Sequence, residues 1–161
     1  MPDLTLSLCF VCTGNICRSP TAEGIVRAKI ASGPLAGRVM TDSAGTHGYH
    51  VGEAPDQRSV TAATQRGYPL HDLRARKFEL IDFERFDLVL AMDTGHRAFL
   101  ARLAQPSQAH KLKMMMTFSR RFGEIDVPDP YYGGTEGFEH ALELLEDSAD
   151  GLLESLTADI R

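Results

Sequence analysis

Residues 11–20 read VCTGNICRSP, and this stretch joins an apolar run over residues 4–11 to the sequence PTAE at residues 20–23. The apolar run is typical of a strand that is buried on both faces of a sheet. Proline followed closely by an acidic residue is typical of the first turn of a helix, with Pro20 at its first position. Cys12 is therefore predicted to lie where a buried strand ends and a helix begins.

The loop at this junction has the features of an oxyanion-binding site. A loop between a strand and a helix turns several backbone N–H groups toward one point, and the helix dipole adds partial positive charge there. Arg18 follows Cys12 by six residues and supplies a planar guanidinium that binds two oxygens of the same anion. Because a helix N-terminus and a neighbouring cation favour the thiolate form of cysteine, Cys12 is predicted to be a nucleophile that faces phosphorus.

The rest of the chain alternates between segments of strand and helix character. Further strands are predicted over residues 38–44, 86–92 and 110–115, and helices over residues 20–32, 56–66, 94–104 and 136–160, with a helical turn at 78–81. No repeat, low-complexity tract or linker divides the sequence. The alternation predicts a single α/β domain over residues 1–161, with a parallel sheet between helices on both faces.

Composition narrows the class of protein. Apolar residues make up 43% and charged residues 24% of the 161 residues, as in a soluble globular domain. The net charge of −5 argues against a surface for nucleic acid or an anionic membrane. Cys9, Cys12 and Cys17 form neither a disulfide framework nor a zinc-ligand pattern, which predicts a reducing cytoplasm. The apolar run at the N-terminus is too short to span a bilayer and leads directly into the loop, so it is expected to belong to the fold.

A longer string around the loop, FVCTGNICRSPTAE over residues 10–23, resembles the signature of the low molecular weight protein tyrosine phosphatases. The bare Cys-x5-Arg spacing occurs often by chance, whereas the longer string is specific. The resemblance implies a doubly wound, four-stranded parallel sheet, which agrees with the four predicted strands. It also implies a phosphatase without metal or cofactor, acting on phosphotyrosine-containing proteins through a phosphocysteine intermediate. The chain is expected to be a monomer that binds phosphate or other oxyanions in its active site.

The same resemblance defines a phosphate-binding loop that begins at Cys12 and includes Arg18. Its other members are predicted to be Thr13, Gly14, Asn15, Ile16, Cys17 and Ser19. Ser19 is predicted to donate its hydroxyl to the sulfur of Cys12. Asn15 tolerates the left-handed backbone that a tight loop demands, and its amide needs partners such as Ser19 and Ser43.

Expulsion of the leaving oxygen requires a proton donor, and Asp129 is the predicted one. Pro128 and Pro130 flank this residue and hold its carboxylate on a stiff, extended loop. The family carries its general acid in the same Asp-Pro-Tyr setting, so the resemblance assigns to Asp129 the role of acid and then of base. Asp126 lacks a following proline and is the less favoured alternative.

Aromatic residues near these segments are predicted to form the walls of a substrate cleft. Tyr131 and Tyr132 directly follow the Asp129 loop, and Tyr49 lies in a glycine-punctuated loop after the second strand. In the family, Tyr49 falls where an aromatic residue lines the cleft entrance. Such walls suit an aryl phosphate, because aromatic contacts add to the free energy of burial.

Three positions leave questions open. Leu73 occupies a position where relatives often carry a histidine that supports the loop asparagine, and Thr13 stands where many carry a larger apolar residue. Cys17 has two interpretations of equal weight. It fills the loop, or it closes a peroxide-driven disulfide that protects Cys12 from irreversible oxidation.

Two other functions compete with the phosphatase. Arsenate reductases use the same scaffold but relay oxidation through further cysteines, and none follows Cys17 in this chain. A phosphotyrosine-binding module that has lost catalysis is the other alternative. The presence of the nucleophile, the arginine and the acid argues against it.

Overall fold

The computed structural model describes residues 5–131 and 133–160. Four strands form one parallel sheet: β1 (Leu6–Cys12), β2 (Val39–Gly45), β3 (Leu88–Ala91) and β4 (Leu112–Met114). Their order across the sheet is β2-β1-β3-β4. The predicted doubly wound, four-stranded parallel sheet is confirmed.

In the part of the chain that the structure describes, five α-helices surround this sheet: α1 (Arg18–Ala31), α2 (Gln57–Gln65), α3 (Asp82–Arg85), α4 (Thr94–Leu103) and α5 (Thr135–Ile160). Two short 3-10 segments, Pro106–Lys111 and Met115–Phe118, flank β4. No helix within the described residues is long and apolar enough to cross a membrane.

Strand β1 is buried on both sides because helices cover both faces of the sheet. Leu8 and Phe10 contribute to one apolar cluster, which includes Ile25 of α1 and Leu145 of α5. Cys9 and Val11 contribute to the opposite cluster, which includes Phe83 of α3 and Leu100 of α4. Successive side chains of a strand point to opposite faces, so a continuous apolar run is what a doubly covered strand requires.

Several element boundaries differ from the prediction, and three of these differences have a structural explanation. Helix α1 begins at Arg18, so Pro20 is its third residue; proline is tolerated there because N–H groups of the first turn have no helical partner. The turn predicted at 78–81 lies further on, at α3, where the Asp82 carboxylate accepts a hydrogen bond from the backbone N–H of Glu79. Strand β4 is shorter than predicted because 3-10 segments take up the residues on either side of it.

Parallel pairing brings the carboxyl ends of three strands to one edge of the sheet. Cys12 pairs with Gly45 of β2, and Val11 pairs with Ala91 of β3. The chain proceeds from β1 to β2 on one side and to β3 on the other, so the strand order reverses here. Such switch points are where open α/β sheets bind ligands.

Candidate active site

The loop between β1 and α1, residues 13–17, surrounds a point at this edge of the sheet. The loop's carbonyl groups have partners: the backbone N–H of His47 donates to Thr13 O at 3.0 Å, and that of Asp56 donates to Ile16 O at 2.8 Å. By contrast, no backbone N–H of residues 13–19 donates to any residue that the structure describes. Unpaired N–H groups at a helix N-terminus form a binding site for an oxyanion.

The path of this loop depends on three residues with special conformations or contacts. Asn15 is buried and has a φ of 60°, the left-handed conformation predicted for it. A Cβ at Gly14 would lie 2.9 Å from the Cδ2 of His50, and one at Gly45 would lie 2.7 Å from the carbonyl oxygen of Thr13. Glycine at these two positions therefore allows the close approach of the loop after β2.

The side chain of Asn15 is fully hydrogen-bonded. Its Nδ2 donates to Ser19 Oγ at 2.8 Å and to Ser43 Oγ at 3.0 Å, and its Oδ1 accepts from the backbone N–H of Arg76 at 2.9 Å. Leu73 does not support the Asn15 side chain, because its own side chain packs against the apolar core. The backbone of Arg76 holds the asparagine in this chain.

Glu23 is a member of this network that the sequence interpretation missed. The Ser43 hydroxyl donates to Glu23 Oε1 at 2.7 Å, so the Ser43 oxygen is left to accept from Asn15. Burial raises the pKa of the Glu23 carboxyl, and the Ser43 hydrogen bond opposes this shift. Glu23 lies four residues after Ser19 on α1, and this same-face spacing is the signal that could have found it.

The same network brings a hydroxyl to the nucleophile. Ser19 Oγ accepts from Asn15 Nδ2 and lies 2.9 Å from Cys12 Sγ. The Ser19 proton has two acceptors within reach, the sulfur of Cys12 and, at 3.5 Å, the carbonyl oxygen of Ala44. Cys12 is 3% exposed and lines a cavity of about 200 Å³.

Arg18 is buried beside this cavity. Its Nη1 donates to Asp93 Oδ2 at 2.8 Å and to the carbonyl of Val127 at 3.0 Å. Burial opposes ionisation of Asp93, but the backbone N–H of His96 and the guanidinium of Arg18 outweigh it and hold the pKa of Asp93 below its usual range. None of the described residues accepts a hydrogen bond from Nε, and Nη2 has only long contacts, at 3.5 Å, with Thr13 Oγ1 and His96 Nε2. The edge formed by Nε and Nη2 can therefore bind two oxygens of an anion.

Asp129 lines the same cavity and is half-exposed. Its Oδ1 accepts from the backbone N–H of Tyr131 at 3.0 Å, and its Oδ2 lies 3.7 Å from Arg18 Nη2. Asp126 has a different position, because its Oδ1 accepts from the backbone N–H of Thr94 at 2.9 Å at the start of α4. The structure thus brings Cys12, Arg18 and Asp129 to one cavity and leaves Asp126 outside its lining.

Aromatic side chains border the cavity. Tyr49 is 68% exposed and stacks on His47 with ring centroids 5.0 Å apart. Tyr131 contacts the guanidinium of Arg58, which lies 5.3 Å from the ring centroid. Tyr132, also predicted to line the cleft, lies outside the described residues. His50 lines the cavity as well and was not predicted to do so.

Cys17 also lines this cavity and is the residue preceding α1. All three cysteines are buried free thiols. Burial raises the pKa of Cys17 to about 12, against a smaller opposing effect of a hydrogen bond with Ser59. No group of three or more metal-ligating side chains is arranged to hold a metal ion within residues 5–131 and 133–160.

Comparisons with known proteins agree with this geometry. Residues 7–161 match the family model of the low molecular weight phosphotyrosine protein phosphatases. A low molecular weight protein-tyrosine-phosphatase of Streptomyces coelicolor is 44% identical over 160 residues, covering 98% of this chain and 97% of the relative.

Solved structures are similar over nearly the whole fold. A protein tyrosine phosphatase from Entamoeba histolytica, crystallised with Hepes in its active site, superposes with a TM-score of 0.94 at 36% identity, covering 96% of this chain and 99% of that one. YfkJ from Bacillus subtilis superposes with a TM-score of 0.92 at 33% identity, covering 99% of each chain.

Proposed function

The chain belongs to the low molecular weight phosphotyrosine protein phosphatase family, and on that premise we propose that it hydrolyses phosphotyrosine in proteins, and small aryl phosphates, through a phosphocysteine intermediate. The observation that carries the proposal is the meeting of Cys12, Arg18 and Asp129 at one cavity, beside backbone N–H groups of residues 13–19 that have no acceptor among the described residues.

The first step transfers the phosphoryl group to sulfur. The N–H groups of residues 13–19 and the free edge of Arg18 bind the non-bridging oxygens, which places phosphorus in front of Cys12 Sγ. The thiolate forms the S–P bond while the bond between phosphorus and the phenolic oxygen breaks. Asp129 gives its proton to the departing oxygen, so the products are a neutral phenol and phosphocysteine.

The second step returns the enzyme to its initial state. Asp129, now ionised, takes a proton from a water molecule that attacks phosphorus, and the S–P bond breaks to release phosphate. The leaving group is the Cys12 thiolate. The Ser19 hydroxyl, 2.9 Å from the sulfur, stabilises the negative charge that returns to it.

The shape of the cavity supports an aryl substrate. Cys12 is almost fully buried, whereas Tyr49 and Tyr131 are accessible at the cavity border. In the proposed complex the phosphate of an aryl ester reaches the sulfur while its ring contacts these side chains. Phosphotyrosine-containing proteins are the substrates that this arrangement favours.

Hydrolysis of p-nitrophenyl phosphate in the presence of a chelator tests the proposal directly. We expect turnover without added metal, competitive inhibition by inorganic phosphate, and a phosphorylated Cys12 trapped by rapid acid quench. A phosphotyrosine peptide is expected to be cleaved at least about 100-fold faster than the matched phosphoserine peptide, which lacks the aromatic spacer. Phosphate binding without any turnover would contradict the proposal and favour a binding module.

Arsenate reduction has less support from the site. A reductase on this scaffold relays oxidation through further cysteines, and no cysteine follows Cys17 in the sequence. We also infer a reducing cytoplasm, which suits three free thiols, and a monomeric state.

We further propose that Cys17 protects Cys12 under oxidative conditions. Peroxide converts the Cys12 thiolate to a sulfenic acid and releases hydroxide. The Cys17 sulfur then attacks this sulfenic acid, a disulfide forms, and the displaced oxygen leaves as water with the Cys17 proton. Because burial disfavours the Cys17 thiolate, we expect closure to take place but to accelerate as the pH rises.

A reversibility experiment tests this role. After prolonged exposure to hydrogen peroxide, dithiothreitol should restore most of the initial activity of the unmodified enzyme. The Cys17→Ala variant should recover little of its own initial activity, because Cys12 proceeds to the irreversible sulfinic acid. Cys9→Ala is the matched control and should recover like the unmodified enzyme. Equal recovery by the Cys17 and Cys9 variants would leave Cys17 as a loop-filling residue only.

A further inference from the structure

His96 is a buried histidine next to the phosphate-binding loop that the steps above do not use. It is 5% exposed and lies in the first turn of α4. Its Nε2 is 2.8 Å from Thr13 Oγ1 and 3.5 Å from Arg18 Nη2. Its Nδ1 lies 3.2 Å from Asp93 Oδ1 but makes no hydrogen bond to any described residue.

The surroundings keep this imidazole neutral. Burial and the positive charge of Arg18 lower the pKa of His96 to about 4, against the attraction of the carboxylates of Asp93, Asp129 and Asp126. The N-terminal position of His96 in α4 adds to the effect, because the helix dipole is positive there. A single ring nitrogen therefore carries a proton near neutral pH.

The neighbours determine which nitrogen carries it. A proton on Nε2 would face an Arg18 N–H donor and leave the lone pair of Nδ1 against the Asp93 carboxylate. A proton on Nδ1 instead lies beside that carboxylate, and the Nε2 lone pair faces two donors, the Thr13 hydroxyl and Arg18 Nη2. The second arrangement is the electrostatically favourable one.

We propose that His96, as the neutral imidazole protonated on Nδ1, is a positioning residue that orients the phosphate-binding edge of Arg18. Asp93 and the carbonyl of Val127 anchor Nη1 of Arg18. His96 and the Thr13 hydroxyl provide acceptors on the Nη2 side, with Thr13 Oγ1 at 3.5 Å from Nη2. Contacts at both ends fix the plane of the guanidinium, so its remaining N–H groups meet the anion without reorganisation.

The proposed role of His96 explains why the residue at position 13 is polar. An apolar side chain at that loop position offers no hydroxyl to His96, whereas Thr13 donates to Nε2 and accepts from Arg18. Thr13 and His96 therefore act as a pair. The proposal rests on the proposed function, because it concerns how Arg18 holds the phosphoryl group.

Two substitutions at position 96 separate positioning from a general structural role. His96→Leu removes the acceptor, and we expect the inhibition constant of inorganic phosphate to rise, and kcat/KM for p-nitrophenyl phosphate to fall, by about tenfold, as for loss of one hydrogen bond to a charged group. His96→Gln can present an amide oxygen near the position of Nε2 and should recover most of that loss. His71→Leu, at an exposed histidine, should change neither quantity.

Two results with the His96 variants would overturn the proposal. Equal impairment of the Leu and Gln variants, or no impairment of either, would show that acceptance at Nε2 does not position Arg18. The tautomer is measured independently on the unmodified enzyme from the ¹⁵N chemical shifts of the ring, where a protonated Nε2 or an imidazolium near neutral pH would overturn it. An unmodified enzyme without turnover would reject the proposed function instead, while the tautomer and phosphate affinity would still decide the role of His96.

Discussion

Cys12→Ser is expected to abolish turnover of aryl phosphates while phosphate binding stays within about threefold of the unmodified enzyme. The backbone N–H groups and Arg18 that bind the anion are unchanged in this variant, whereas a serine hydroxyl is a far weaker nucleophile than a thiolate at neutral pH. Loss of a nucleophile has cost about 10⁶-fold in kcat in a well-studied hydrolase, and a loss of at least about 10⁴-fold is expected here. Steady-state kinetics and titration calorimetry with inorganic phosphate measure the two quantities.

The neighbouring thiol on the same strand provides the control for this experiment. Cys9 lies three residues before Cys12, is buried in the opposite apolar cluster and does not line the cavity. Cys9→Ala should therefore retain kcat, with its effect confined to thermal stability. Substantial turnover by Cys12→Ser would reject the nucleophile assignment. If its phosphate affinity also fell sharply, the loop conformation would depend on the sulfur, through its contact with Ser19.

The core of the site could be predicted because its residues are consecutive. One strand, one loop and one helix start hold Cys12 and Arg18, and the local backbone of that unit brings them together without reference to the rest of the chain. Asn15 illustrates the same point, since its left-handed conformation follows from a tight loop and is present in the structure. Asp129 is remote in sequence, and its prediction depends on the two prolines that flank it and on the family resemblance.

Site residues that are brought together only by the pairing of separate strands could not be predicted in the same way. Asp93 and His96 contact Arg18 because Val11 pairs with Ala91, which sets the start of α4 beside the loop. Periodicity predicts that β3 exists but not which strand it neighbours. A usable signal was present, since polar residues that follow a parallel strand lie at the carboxyl edge of the sheet.

Asp129→Ala is expected to lower kcat/KM for phenyl phosphate by about 100- to 1,000-fold, the usual contribution of a general acid. The loss for p-nitrophenyl phosphate should be much smaller, because p-nitrophenolate leaves without needing a proton. The quantity kcat/KM isolates the first step, so the second role of Asp129 as a base does not obscure the comparison. In the unmodified enzyme this step should depend only weakly on the basicity of the leaving phenol, whereas in the variant it should slow steeply as that basicity rises.

Asp126 is the alternative proton donor, so its variant is the control for this prediction. Asp126→Asn alters a carboxylate only three residues away, whose hydrogen bond to the Thr94 backbone caps α4 and does not face the cavity. It should keep the weak leaving-group dependence of the unmodified enzyme, with at most a small loss of stability. If the Asp126 variant lost this weak dependence and the Asp129 variant kept it, the proton donor would be Asp126. The interaction of Asp129 Oδ2 with Arg18, at 3.7 Å, would then be structural. The position of Asp129 in the lining of the cavity that also contains Cys12 is the physical reason to expect the opposite result.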